Sequence, residues 1–419
     1  MPQAVLRMRG KHEELVLRLL RRHGPLSRGE LIDMSGLSRT TLYDIVVPLV
    51  DNGTVTVSIP EVARRKRGRP VEKLDLSPHA GQVIGIDFAR QAVRVAVMGI
   101  AHEDIGTAGE QHAPQAPWRD RVETAYRLVG GLMGRTPRLG SLSAIGVGVG
   151  VAEVAAAPGA DHSYAQDHRT VAESVRERFG APVRVDSNTR LAALAESQWG
   201  AAAGERDVLY LQLSHGVGGG LVVDGTLHRG AYGRSGEFGH ITVAPDGPAC
   251  RCGGTGCLEA VASVGAVLDS YRAAGGTAGD LPELVTALDG GDRRARAVLT
   301  AAGARVGRAL ATLSHTVDPR VIVVGGELAE VGPPVTRSIE REVALGPLRG
   351  ARAQLRLRWA RLGEMSAALG AVALLRPEVR DLMPRRGSPS SRLPRPGVPG
   401  PTDGPAHAEG RASDDVGAY

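Results

Sequence analysis

Three cysteines and one histidine stand close together in the chain: His240, Cys250, Cys252 and Cys257. Three thiolates and an imidazole make a closed Cys₃His set, the usual tetrahedral arrangement of a structural zinc site. Gly253, Gly254 and Gly256 let the backbone turn tightly enough for ligands at i, i+2 and i+7 to meet on one ion. The alternative is free thiols packed as small hydrophobes. Random placement in 419 residues would seldom put all three cysteines within eight positions, so the spacing predicts a bound structural Zn2+. Glu237 and Glu259 bracket the set without being needed to complete it. They are free to contact a ligand, or to support the metal ligands from behind.

A second chemistry lies at the N-terminal end. Of the net charge of +6, most of the excess falls in Met1–Ser77, with fourteen Lys/Arg against nine Asp/Glu. A basic module on a nearly neutral body is the footprint of nucleic-acid binding. The candidates for base contact are Arg39, Thr40, Thr41 and Tyr43, with Ser38 as a helix cap and phosphate donor. Arg67 and Arg69 lie in a run of five charges, Arg64 to Pro70, suited to the DNA backbone or a narrow minor groove.

Elements with the right order exist to position these groups. Leu15, Val16, Leu19 and Leu20 recur at helical spacing, so about Lys11 to His23 reads as a helix, stopped by Gly24-Pro25. Ser27 and Glu30 form a capping box that opens a second helix. Gly36 makes a turn, and Ser38 caps a third helix. Helix, helix, glycine turn, helix is the helix-turn-helix pattern, whose last helix reads the major groove from its N-terminal end. Pro48 predicts a kink or an early end to that helix. Two alternating stretches, Val55 to Ile59 and Val71 to Leu76, predict the hairpin of a wing.

Beyond Ser77-Pro78 the chain alternates between strand and helix patterns. Strands are expected at Val83 to Phe88, Val93 to Met98, Ser143 to Val151, Pro182 to Asp186, Val208 to Leu213, Gly216 to Val223 and Val321 to Val324. Helices are expected at Val171 to Phe179, Leu191 to Trp199 and Met365 to Leu375, with a further helical portion after the cysteines. Such alternation predicts two α/β lobes with glycine turns facing a cleft. With aromatics at 3 %, the core must be built from Ala, Val and Leu. The Pro-, Arg-, Gly- and Ser-rich stretch 384–419 is expected to be disordered. No signal peptide and no membrane-spanning apolar run is evident, so a cytoplasmic protein with reduced thiols is expected.

The motifs resemble the ROK family (repressors, open reading frames, kinases), and within it the xylose-repressor-like regulators. The most specific match is Gly236-Glu237-Phe238-Gly239-His240 followed by Cys250-x-Cys252-Gly253-x-x-Gly256-Cys257-x-Glu259; Asp186 to Glu196, Ser214 to Gly220, Asp318 to Gly326 and Gly68-Arg69-Pro70 match less closely. The resemblance implies a winged helix-turn-helix domain, 1–77, on an α/β two-lobed actin-like (ribonuclease H-like) ATPase body. Its first lobe is 78–200, completed by the helix near 363–376, and its second, zinc-bearing lobe is 201–362. It also implies a homodimer or homotetramer on a near-palindromic double-stranded DNA operator, with a sugar or sugar-phosphate effector in the cleft at Ser187, Asn188, Glu237, His240 and Glu259.

The chain departs from the family's kinases along the reaction path. Asn188 stands at the catalytic aspartate, Ser187 at the sugar-binding asparagine and Arg190 at a later asparagine, and an amide cannot take the proton that phosphoryl transfer releases. Asp186, two residues earlier, is the remaining carboxylate there. Asp87-Phe88-Ala89-Arg90-Gln91 replaces the glycine-rich first phosphate turn, and His215 stands where the second has a small hydroxyl residue. The proline-glycine loop expected near Gly150 is also missing, so the ligand differs from a plain aldose or the sugar response has weakened. The expectation is a non-catalytic regulator, a repressor. Its rivals are an ATP-dependent sugar kinase with an appended DNA-binding module and a ligand-independent DNA-binding dimer.

Overall fold

Apolar residues interleaved with glycine build two five-stranded sheets with one strand order between them. The computed structural model describes residues 12–13, 15–20, 22–51, 53–58, 72–77, 81–99, 105–134, 137, 139, 143–150, 164–345 and 355–380. All of them belong to one unit, Met1–Pro384. The tail expected to be disordered, 384–419, and the basic run with Arg67 and Arg69 lie outside the described residues.

The first body sheet has the order β6-β5-β4-β7-β8 and the second β11-β10-β9-β12-β13. In the first, β4 (Gln82–Phe88), β5 (Ala92–Gly99) and β6 (Ile105–Gln111) run antiparallel, and β7 (Ala144–Val149) and β8 (Val183–Ser187) continue parallel to β4. The second repeats this: β9 (Val208–Leu213), β10 (Val217–Val223) and β11 (Thr226–His228) are antiparallel, with β12 (Val321–Gly325) and β13 (Arg356–Trp359) parallel to β9. Three antiparallel strands followed by two parallel ones, twice over, is the actin-like, ribonuclease H-like arrangement expected from the motifs. The core is Val, Leu, Ile and Ala, as the low aromatic content requires.

The N-terminal elements form a winged helix. Described residues between 12 and 23 are helical (α1), followed by α2 (Arg28–Ser35) and α3 (Arg39–Asp51). The wing strands β2 (Val55–Ser58) and β3 (Lys73–Leu76) pair antiparallel. A third, two-residue strand, β1 (Leu26–Ser27), joins β3 and had no sequence signal of its own. The expected early end of α3 is corrected: the helix runs three residues past Pro48. Pro48 gives no N–H to the helix, but Val46 and Leu49 on either side of it are buried with Val16, Leu20 and Leu31, and that packing holds the last turn.

In the body, α4 (Trp118–Met133) and α5 (Tyr164–Phe179) cover the first sheet, and α6 (Asn188–Gln198) follows β8 directly. The second sheet is covered by α7 (Leu258–Ala262), α8 (Val264–Ala273), α9 (Leu281–Asp289) and the long α10 (Arg293–Val317). The remaining helices are α11 (Glu327–Glu330), α12 (Pro333–Leu345) and α13 (Ser366–Arg380). Helix α6 packs against β9, β10 and α13. Its close approach needs glycine: a Cβ on Gly220 would lie 2.7 Å from the Ala193 Cβ, and one on Gly370 would fall on the Leu191 carbonyl oxygen. Among the described residues, no helix is long and apolar enough to cross a membrane.

Gly370→Ala separates packing from helix propensity. Alanine alone would favour the helix by about 1 kcal/mol, but overpacking against a backbone carbonyl costs about 1–3 kcal/mol. Because the new Cβ meets backbone rather than a movable side chain, packing wins. The expected result is a fall in melting temperature of several degrees; an increase would show that the helices are farther apart.

Candidate functional site

At the N-terminal module, the capping box is formed: the Glu30 N–H donates to Ser27 Oγ (3.2 Å), and the Ser27 N–H donates to Glu30 Oε2 (2.7 Å). Ser27 holds the Glu30 carboxyl below its ordinary range. Gly36 turns the chain with φ 69°. The Thr41 N–H then donates to Ser38 Oγ (3.1 Å), so Ser38 caps α3. Leu42, Ile45, Val46 and Leu49 face inward, while Arg39, Thr40 and Tyr43 are exposed, Tyr43 by 60 %. Thr41 belongs less to this outward face, because it is half-buried and its hydroxyl lies 2.9 Å from Ser38 Oγ. Asp44, exposed beside Tyr43, was missed; the helical repeat from Arg39 and Thr40 would have found it. The wing is tied to the helices by Arg28 to Glu72 (2.8 Å) and by Lys73 Nζ donating to the Pro25 carbonyl (3.2 Å).

The side chains of His240, Cys250, Cys252 and Cys257 converge, as a metal site would require. Their donor atoms all lie within 4.8 Å of one another. Cys250 Sγ is 3.6 Å from His240 Nδ1, and Cys252 Sγ is 3.6 Å from Cys257 Sγ. A tetrahedron with bonds of about 2.3 Å has edges of roughly 3.8 Å, so the cluster is the right size for a zinc-like ion. His240 ends a 3-10 turn, Phe238–His240, and Gly256 (φ 64°) closes the knuckle where a Cβ would strike the Ala244 carbonyl. Burial, then Cys252 and Cys250, push the Cys257 thiol up to about 12. A bound cation removes that cost, because it stabilises all the thiolates together.

The cleft residues gather along the first residues of β10. A Cβ on Gly216 would lie 3.2 Å from Glu259 Oε2 and one on Gly218 3.3 Å from the Thr189 side chain, while the Gly219 N–H donates to the Gly236 carbonyl (2.8 Å). Glu259, the start of α6 and the residue preceding Glu237 therefore share one strip of backbone. Asn188 is half-buried at the start of α6, and buried Ser187 has its hydroxyl 3.0 Å from that of Thr189. The Glu237 carboxylate is half-buried and has no hydrogen-bond partner among the described residues. Glu259 is not free. The Val217 N–H donates to its Oε2 (2.9 Å) and Arg251 Nε to its Oε1 (2.8 Å). Because Arg251 stands between Cys250 and Cys252, it links the knuckle to Glu259.

Charged residues outside the expected ligand set complete the site, among them Arg94, Arg229, Glu327, Glu330 and Glu364, which had no role in the sequence reading. Asp186 is buried and receives Arg190 Nε and Arg229 Nε, each at 2.7 Å. Near the first phosphate turn, Arg94 lies 3.6 Å from Asp87 and 3.0 Å from Glu364. At the second, the Ser214 hydroxyl donates to Glu327 (3.0 Å), and His215 Nδ1 is 3.6 Å from the same carboxylate. Burial, then Glu364 and Glu327, raise the pKa of the neighbouring Glu330. The Asp186–Arg190 spacing of four and the Asp87–Arg94 position across the β4–β5 hairpin are local signals; the remaining pairs are distant in sequence.

A profile described as ROK family matches residues 83–378. The chain belongs to the ROK family. Among ROK relatives, a xylose repressor of Bacillus spizizenii is 27 % identical, over 80 % of this chain and 86 % of that protein. A DNA-binding transcriptional repressor Mlc of Escherichia coli is 25 % identical, over 78 % of this chain and 84 % of its own. A crystal structure of a ROK family transcriptional regulator, described as a homologue of the Escherichia coli Mlc protein, superposes with a TM-score of 0.62 at 24 % identity, covering 90 % of this chain and 98 % of that one. That share cannot be reached without the N-terminal helices.

Metal-stripped protein titrated with Co2+ should take up one equivalent and show thiolate-to-metal absorption. Binding should weaken as pH falls, since protons compete for the thiolates. Cys257→Ser should lose the absorption; a variant that still bound one Co2+ with unchanged absorption would contradict the ligand set.

Proposed function

We propose that this protein is a DNA-binding transcriptional repressor whose ROK body no longer phosphorylates sugar. The observation that carries the reading is a winged helix with Arg39, Thr40 and Tyr43 turned to solvent on a ROK body; Asn188, where the resemblance puts the kinases' aspartate, agrees with it. The repressor relatives, which match most of the chain, support it.

In this reading 1–77 is the DNA-binding domain, 78–200 with the helix near 363–376 the first lobe, and 201–362 the second. The protein assembles as a homodimer or homotetramer, and two copies of α3 reach successive major grooves of a near-palindromic operator. Arg39, Thr40 and Tyr43 read base edges; Ser38 and the wing arginines Arg67 and Arg69 hold the backbone. Zn2+ on His240, Cys250, Cys252 and Cys257 is structural, and a sugar or sugar phosphate bound at Ser187, Asn188, Glu237 and Glu259 is the effector.

The charges in the cleft support the absence of catalysis. Asp186 is committed to two guanidiniums and is not a free base. Glu327, at the start of α11 and held by Ser214 of the second phosphate turn, sets a carboxylate where a phosphoryl group would need positive or neutral partners.

Two measurements test this reading. Arg39→Ala should weaken a specific operator by about 1–3 kcal/mol while leaving random DNA nearly unaffected, and Arg67→Ala should weaken both and lower the salt slope by about 1. Equal losses on both DNAs for Arg39→Ala would remove it from base reading. In a coupled assay with ATP across hexoses and pentoses, no turnover is expected; turnover abolished by Asn188→Ala would restore the kinase reading.

A further inference from the structure

Segment 229–236 crosses from β11 to the residues that carry Glu237 and His240. Its glycines at 230, 233 and 236 all have positive φ (74°, 71° and 98°), so its intrinsic preference for one shape is weak. Among the described residues, the hydrogen bonds of its backbone between Gly230 and Arg234 stay within the segment or its neighbours, or come from Arg190. Arg190 Nη1 donates to the carbonyls of Gly233 (2.6 Å) and Ser235 (3.3 Å), while its Nε donates to Asp186 Oδ1. Arg229, at the other end of the segment, donates to Asp186 Oδ2. The Asp186 and Arg190 side chains are each only 3 % exposed. Little water competes with the Asp186–Arg190 bond, which strengthens it, whereas the Arg229 side chain is 46 % exposed.

We propose that Asp186, Arg190 and Arg229 form an internal clasp across the cleft. It fixes segment 229–236, and through it Glu237 and the metal ligand His240, without help from a bound ligand. Asp186 and Arg190 belong to the first sheet and the helix that follows it, whereas the segment belongs to the second, so the clasp joins the two halves of the site. One guanidinium fork reaches a carboxylate and two carbonyls together, which the ammonium of a lysine does not reproduce. Arg190 is thus a positioning residue. Beyond the clasp, the Gly219 N–H bond to the Gly236 carbonyl passes the fixed geometry to the 3-10 turn that ends in His240.

The clasp does not depend on DNA binding, and a gel shift on the same preparations reports that reading separately. The test uses full-length, metal-loaded protein and hydrogen exchange. Arg190→Asn and the shape-preserving Asp186→Asn should each speed exchange of the 230–236 amides roughly tenfold, with the amides of α10 unchanged. A chelator should also remove the metal several-fold faster. Arg190→Lys should not restore protection, and the double variant should add little to either single one, as expected for one coupled unit. If Arg190→Asn fails to fold, Asp186→Asn carries the test alone. Unchanged exchange in 230–236, a rise spread evenly over the body, or unchanged metal release would overturn the proposal.

Discussion

Helix α6 lies so close to its neighbours that they have no side chain where they touch it. Gly148 and Gly220 on the two sheets and Gly370 on α13 meet it almost backbone to backbone. Its own buried residues include Ala192, Ala193 and Ala195. Both ends are then fixed by buried carboxylates. Glu196 takes N–H bonds from Ala201 (2.6 Å), Arg361 (2.9 Å) and Leu362 (2.9 Å). A fully buried carboxylate is tolerable only with such complete satisfaction. Burial, and then Glu196, raise the pKa of Tyr210 beside it. At the N-terminal end, Asp186 holds Arg190 and Arg229. The position of every cleft residue on the first lobe follows from this helix.

The Cys₃His knuckle has few apolar side chains and several glycines, so a cation held by His240 and the three cysteines would supply the order that a hydrophobic core supplies elsewhere. Arg251 carries that order to Glu259, and Glu259 carries it to β10 through Val217. Of the two carboxylates that bracket the cysteines, Glu259 is thereby part of the framework, and Glu237 keeps its carboxylate available. Carboxylates line the turns on both sides: Asp87 pairs with Arg94, and Glu327 accepts from Ser214.

Local signals made much of this legible. The Cys₃His set, the capping box, the glycine turn and the wing hairpin depend on residues within a few positions of one another, and each appears as expected. The strands that escaped are short or solvent-facing: β1 has two residues, β11 three, β6 is largely exposed, and β13 mixes arginine with apolar residues. Their pairing is set by neighbours far along the chain, not by their own pattern. The same holds at the site. Arg190 read only as a departure from an asparagine, because its partners at Gly233 and Ser235 are more than forty positions away. At Pro48 the helix does not end early, because Val46 and Leu49 beside it are buried in the module's core.

The claim that the molecule works as a dimeric reader of DNA is tested most directly by footprinting on the genomic fragments it retains. The account predicts protection of a near-palindrome whose half-site centres lie about 10 bp, or a multiple of that, apart on one face of the duplex. Protection of a single isolated half-site, or no fragment retained above random DNA, would contradict it.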